Sequence, residues 1–277
     1  MLPILLAALS ALVWGVSDFS GGKASQTSDP LRVTIMSELA GIPVLAACVV
    51  LVSAGMPTLG AIGWGTVAGV AGFGGILLLY RGLSQGAMAI FAPISAVTSA
   101  VVPLGVGLVL DRTPSVLALL GVGCAVVAIG LVSASGGPRR ASPRIIALAL
   151  ASGVLFGVFF VLIGRAGSDA GMWPLVGVRI GSLAVGLPIL ARTPRSRRPL
   201  GRPALRWAMV AGPLDVLANA LYLLAATRGP LAIVAPIAAL YPISTVLLAL
   251  GVDRERVAPA QLAGLGLAAA ALVLVAT

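Results

Sequence analysis

The chain has 277 residues, 59% of them hydrophobic and 9% charged, with a mean hydropathy of +1.11 and a formal net charge of +10. About a quarter of the residues of a soluble domain are charged, so the composition excludes one and describes a polytopic membrane protein. The basic excess comes without a basic-aromatic surface or binding motif, which assigns it to loops at anionic lipid headgroups and argues against nucleic acid.

A helix needs about 20 residues to cross the hydrocarbon, and ten apolar runs of that size follow one another. The first, 2–20, has no basic stretch before it and continues through Trp14 to Phe19, so it reads as a span and not as a signal peptide. Trp14 and Asp18 lie one turn apart on it. Trp14 is either a packing ring or the lining of a substrate path, and Asp18 either an interfacial cap or a coupling carboxylate. Span 2, 33–53, carries Glu38. Span 3, 61–79, has Gly65, Gly69 and Gly72 at the spacing of close helix contacts, and Tyr80, a candidate substrate contact, follows it. Span 4, 87–109, is interrupted by Pro93 and Pro103, which remove backbone donors at membrane depth and mark it as a hinge. It also presents Ser95, Thr98 and Ser99 as one polar stripe, either lining a cavity or bonded to its own backbone. Span 5 covers 116–134, and 135–144 links it to the second half.

Spans 6 to 10 fall at 145–163, 172–191, 207–226, 231–251 and 258–276. Arg179 lies about six residues into span 7, the station that Glu38 holds in span 2. If the second half is inverted, those stations lie in opposite leaflets, about 12 Å apart in depth. No direct pair is then expected, while Arg179 can contact a substrate, reach Asp215 or snorkel. Asp215, Asn219 and Tyr222 share one face of span 8, and Asp215 lies about 12 Å from its start. A charge at that depth costs at least about 2.5 kcal/mol, so Asp215 should face a cavity, be paired or be protonated. Span 9 repeats the pattern of span 4, with Pro236 and Pro242 as hinges and Tyr241, Ser244 and Thr245 as a stripe.

That likeness is systematic. The octamer 89–96, AIFAPISA, returns as AIVAPIAA at 232–239, 143 positions later, and Gly86 maps onto Gly229, Gly121 onto Gly264 and Gly123 onto Gly266 at the same offset. Thr98 and Tyr241 are equivalents. A repeat that crosses the bilayer an odd number of times inserts upside-down relative to its twin, as in many secondary transporters. The fold expected is therefore all-α, ten transmembrane helices in two inverted five-helix repeats, 1–134 and 145–277. Breaks after spans 1, 3, 5, 7 and 9 hold 14 basic residues against 3 in the others, which places both termini outside and Arg195 to Arg202 in the cytoplasm.

Trp14-Gly15 followed by Asp18-Phe19, Tyr80-Arg81-Gly82 and Ala226-Thr227-Arg228-Gly229, the proline-bearing spans 4 and 9, and Asp111-Arg112 and Asp253-Arg254-Glu255-Arg256 resemble, in their order and double occurrence, the drug/metabolite transporter superfamily and its ten-span proteins with two EamA-type repeats. Where that family often has a Gly-Glu pair closing spans 4 and 9, Asp111 and Asp253 stand. Phe156-Gly157 replaces the second Trp-Gly. The resemblance implies an integral protein of a bacterial inner membrane, monomer or homodimer, that carries small metabolites or drugs at a site between its halves. Alternating access would be proton-coupled or facilitative, with Asp215, Glu38 and Asp18 as candidate coupling carboxylates.

The alternative is a membrane channel or a non-transporting scaffold; a channel would show a continuous polar stripe facing a pore, and the sequence has only interrupted patches on several spans. An enzyme is not expected either. The chain has no histidine, its carboxylates are scattered singly, and Cys48 and Cys124 lie inside apolar segments, so neither a metal-ligand set nor a nucleophile arrangement is present and no cofactor is implied.

Overall fold

The structure, a computed structural model, describes residues 1–52, 56–85, 88–110, 142–166, 170–194, 198–229, 234, 237–252 and 259–275, with a few positions between 116 and 131. Pro236, Asp111 and Asp253 lie outside the described residues, as do the side chains of Pro103 and Pro242. Among the described residues the only regular structure is helical: α1 Leu2–Thr27, α2 Pro30–Ala40, α3 Ile42–Val52, α4 Leu59–Leu83, α5 Met88–Leu110, α6 Pro143–Ile163, α7 Trp173–Arg192, α8 Arg202–Ala226, α9 Pro242–Val252 and α10 Pro259–Val275.

The sequence punctuates these helices at their starts. Proline occupies the first turn of α1, α2, α6, α7 and α8, where its missing N–H would have had no partner inside the helix anyway. Side-chain oxygens cap three starts: Asp29 accepts from the Arg32 amide at 3.2 Å, Thr58 from Ala61 at 3.1 Å and Ser142 from Ile145 at 3.3 Å. Among the described residues six segments are long and apolar enough to cross a bilayer: Leu2–Thr27, Pro30–Val52 (α2 and α3 together), Leu59–Leu83, Pro143–Ala166, Trp173–Arg192 and Arg202–Ala226. Helices α5, α9 and α10 stand where spans 4, 9 and 10 were expected, and span 5 falls largely outside the described residues.

Span 9 differs from a continuous kinked helix. Residues 239–241 form a turn, and Pro242 opens a new helix after it. Leu240 and Tyr241 donate instead to Ile237 and Ala238, three residues back. Span 2 is divided too, at Gly41, between α2 and α3.

Residue types are distributed as a bilayer demands. The interior is rich in alanine, glycine and serine, with Ala7, Ala68, Ala208, Ala211, Ser10 and Ser17 fully buried, whereas Leu5, Leu12, Val50, Leu51, Leu59 and Val67 face outward. Lipid offers leucine as good a surrounding as protein does, so close packing of small residues decides what lies inside.

The packing also exchanges the two halves. α1 lies along α8 and α4 along α6; α4 along α7 and α2 along α8; α5 along α6 and α1 along α9. Gly69 and Gly212, separated by the repeat offset, make matching contacts. A Cβ on Gly69 would strike the Val178 carbonyl of α7, and one on Gly212 would strike the Ser37 carbonyl of α2.

Candidate functional site

A partly open cavity, about 590 Å³ of non-atom space counted together with the solvent at its mouth, lies where α1, α4, α6 and α8 run side by side, and residues from α2, α7 and the break before α9 complete its wall. It sits at mid-helix. Asp215 and Gly72 are each the fourteenth residue of a 25-residue helix, and Trp14 is the thirteenth of 26.

Serines fasten α1 to α8 on either side of the site. Ser10 and Ser17, seven residues apart, donate to the Ala218 and Ala211 carbonyls at 2.8 Å each, which holds Trp14, midway between them, against α8. The Trp14 and Asn219 side chains lie beside the Asp215 carboxylate, and Asn219 donates to the Asp215 backbone carbonyl at 2.8 Å. Asp18, one turn beyond Trp14, is buried and lies near enough to Asp215 to feel its charge. Gly15 lets the broken span in: a Cβ there would lie 2.6 Å from the Tyr241 carbonyl. Thr245 donates to the Gly15 carbonyl at 3.2 Å, and Tyr241 is thereby brought into the wall.

Across the cavity, α4 and α6 present Gly72, Ile76, Phe156, Phe159 and Phe160. Phe160 meets Trp14 edge-on at 5.8 Å between centroids and Tyr222 at 5.2 Å, and Phe159 packs on Phe160 at 5.4 Å. This wall is positioned from behind by Ser152, which donates to the Gly75 carbonyl at 2.9 Å and accepts from Ser95 at 3.2 Å.

Arg179 and Glu38 form a direct buried ion pair, with Asp215 3.9 Å from the other arm of the guanidinium. This corrects the expectation that depth would separate Arg179 from Glu38. α2 begins at Pro30, three residues before the expected span, so Glu38 lies about 12 Å into its helix and Arg179 about 9 Å into α7. For helices entering from opposite faces, as an inverted repeat would have them, about 9 Å of a hydrocarbon core about 30 Å thick remains for the two side chains to bridge. Gly41 opens the space: a Cβ on it would lie 3.1 Å from the Arg179 Nη2 and 2.7 Å from Val216.

Of the residues singled out in the sequence, Trp14, Asp18, Glu38, Asp215, Asn219 and Tyr241 line the cavity, Arg179 holds Glu38, and Tyr222 packs on Trp14 at 5.6 Å. Apart from Tyr241, the hydroxyl stripes are turned to protein partners. Thr98 donates to Ile94, Ser99 to Ala96 and Ser244 to Tyr241, each within its own turn. Tyr80 is fully buried beside Gly21, and Pro93 is buried in the second turn of α5.

Gly72, Ile76, Phe156, Phe159, Phe160, Val178 and Ser182 also line the cavity, and sequence reasoning does not single them out for it. The repeat offset holds a signal for two of them, because Gly72 and Ile76 lie 143 positions before Asp215 and Asn219. Pro188 and Pro213 also stand inside helices, beyond the four prolines expected as hinges. Among the described residues no three His, Cys, Asp or Glu gather as a metal site.

The chain matches the EamA-like transporter family twice, over residues 1–134 and 143–277. A solved crystal structure, 18% identical, superposes with a TM-score of 0.65 over 98% of this chain and 95% of its own, a likeness of fold. No curated protein sequence matches the chain.

Proposed function

The chain belongs to the EamA-like transporter family, an integral membrane transporter of small solutes by that membership, and we propose that it works as a secondary carrier by alternating access, built from two inverted five-span repeats. The observation that carries this reading is the cavity itself. It lies at mid-helix, and its four principal helices, α1, α4, α6 and α8, pair across the halves, which is where transporters built from inverted repeats place their substrate.

The broken backbone at 239–241 supports the same reading, because irregular backbone at membrane depth is tolerated where it is buried or lines a cavity, and Tyr241 at that break does line it. Pro93, Pro103, Pro236 and Pro242 would absorb the rocking between states. Asp215, with Asp18 and Glu38 beside it, would hold the proton or the substrate, and Arg179 would keep Glu38 ionised.

Counterflow distinguishes a carrier from a channel or scaffold. Purified protein in liposomes preloaded with an unlabelled small amine, alcohol or acid should accelerate entrance of the labelled compound for at least one member of such a panel. Flux with no acceleration from the far side means a channel, and no flux for any member sinks the transport reading.

A further inference from the structure

The cavity wall is divided by chemistry along the line on which the repeats pair. Trp14 and Phe156 stand at equivalent positions in α1 and α6, and so do Asp18 and Phe160, each pair 142 residues apart; Gly72 and Ile76 of α4 correspond to Asp215 and Asn219 of α8 at 143. In two of the four pairs one repeat supplies a carboxylate and its twin an apolar residue. The carboxylates do not alternate around the cavity. Asp18 and Asp215 lie on α1 and α8, which pack together, while Gly72, Ile76, Phe156, Phe159 and Phe160 lie on α4 and α6, which also pack together. An acidic wall therefore faces an aromatic one.

The charge on these walls does not cancel. Among the described residues that line the cavity, the carboxylates are Asp18, Glu38 and Asp215, and the one guanidinium behind them, Arg179, is engaged by Glu38 directly and stands 3.9 Å from Asp215. Three carboxylates against one guanidinium leave two formal negative charges at mid-helix, where each is expensive without a counter-charge. The Tyr241 hydroxyl, in the same wall and 5% exposed as a residue, makes no hydrogen bond to protein. A cavity with carboxylates in formal excess on one side, a hydroxyl without a hydrogen bond to protein, and phenylalanine side chains on the other suits a positive charge attached to an apolar body.

We infer that the substrate is a small organic cation with an apolar or aromatic body, its ammonium held between Asp18 and Asp215 and its body against Phe156, Phe159 and Phe160. This inference rests on the carrier reading and narrows it. An ammonium within about 6 Å of a ring centroid is attracted by the ring face, most strongly where water is excluded, so Trp14 and Tyr241 at the edge of the acidic wall add to its hold. An organic anion would meet Arg179 already committed to Glu38 and would have to approach the other two carboxylates.

Three ligands of one shape separate the possibilities: benzyltrimethylammonium, its neutral isostere neopentylbenzene, and the anion phenylmethanesulfonate. Calorimetric titration of the purified protein in detergent micelles should show the cation bound about tenfold or more tightly than either of the others. Asp18→Asn and Asp215→Asn should each reduce that preference. Phe156→Leu, which keeps an apolar wall and leaves every charge in place, should weaken the cation more than the neutral ligand, so the inference remains testable should an Asp variant fail to fold.

Tighter binding of the sulfonate, equal binding of cation and neutral isostere, or no binding of any of the three overturns the inference. Counterflow of the same ligands keeps the two claims apart. A cation that binds but is not exchanged upholds the ligand class and removes the carrier reading, whereas exchange of the sulfonate in preference to the cation leaves the carrier and removes the class.

Discussion

Arg179 has two carboxylates within reach and stands closer to Glu38 than to Asp215. Removing one partner of a buried ion pair strands the other, at a cost of about 3–5 kcal/mol. Arg179→Gln should therefore lower the thermal midpoint of the protein in micelles markedly, and the pair Arg179→Gln with Glu38→Gln should recover part of the loss. If the double variant is as unstable as the two single losses added together, the pair is not what holds these helices. Asp215 invites a functional test. At saturating substrate, Asp215→Asn should abolish pH-driven accumulation in proteoliposomes and leave exchange intact. Loss of both even at saturation would make Asp215 indispensable for holding the substrate and remove it as the coupling residue, and retention of both would move coupling to Glu38.

Contrast decides which residues of this site are legible in the sequence. A carboxylate, an amide or a tryptophan inside a run of leucine and alanine stands out, so Trp14, Glu38, Asp215 and Asn219 are recognisable from the amino-acid sequence alone. Phe156, Phe159 and Phe160 are apolar residues in an apolar span and carry no contrast. The pairing of Glu38 with Arg179 is not legible, because a helix start three residues earlier moves a side chain about 4.5 Å in depth, and apolar runs do not fix a helix start to that precision.

At the scale of the helices, glycine governs approach. Gly69 and Gly212 have partner backbone where a Cβ would go, whereas Gly63 has nothing within 4 Å. Gly69→Ala and Gly212→Ala should each destabilise the protein by about 1–3 kcal/mol, the usual cost of overpacking. Gly63→Ala should be neutral or stabilising, since alanine favours the helix by about 1 kcal/mol. Melting in micelles orders the three, and a Gly212→Ala protein as stable as the parent would mean that α2 and α8 have room the contact denies. Spacing alone marks Gly65, Gly69 and Gly72 as one stripe. The structure divides them, with Gly65 and Gly69 against α7 and Gly72 in the cavity wall, because a helix face only a few residues long passes from a close neighbour to an open space.

At the scale of the whole molecule, the basic residues predict an orientation with Arg195 to Arg202 in the cytoplasm. A cysteine introduced at Ser196, with Cys48 and Cys124 replaced by alanine, should escape a membrane-impermeant maleimide in intact cells and react after permeabilisation. Labelling in intact cells would turn the protein over and place its termini inside. The order of apolar runs and the constant repeat offset make most of the helix pattern readable, since both are properties of long stretches of sequence. The break before α9 is not readable in the same way, because proline at 242 is compatible equally with a kinked helix and with the first residue of a new one.

The division of the cavity into unlike walls bears on kinetics. In a carrier whose helices exchange partners between states, α1 with α8 and α4 with α6 are equivalent contacts, so the opening that parts one of them in one state parts the other in the opposite state. One mouth is then bordered by carboxylates and the other by phenylalanines. A solute arriving from the two sides meets different chemistry, and its half-saturating concentrations differ accordingly. Uptake through the acidic mouth should weaken with added salt, and uptake through the aromatic mouth should follow the apolar area of the solute. Detailed balance still holds in the absence of coupling: the maximal rates shift in compensation, and equal concentrations on both sides give no net flow.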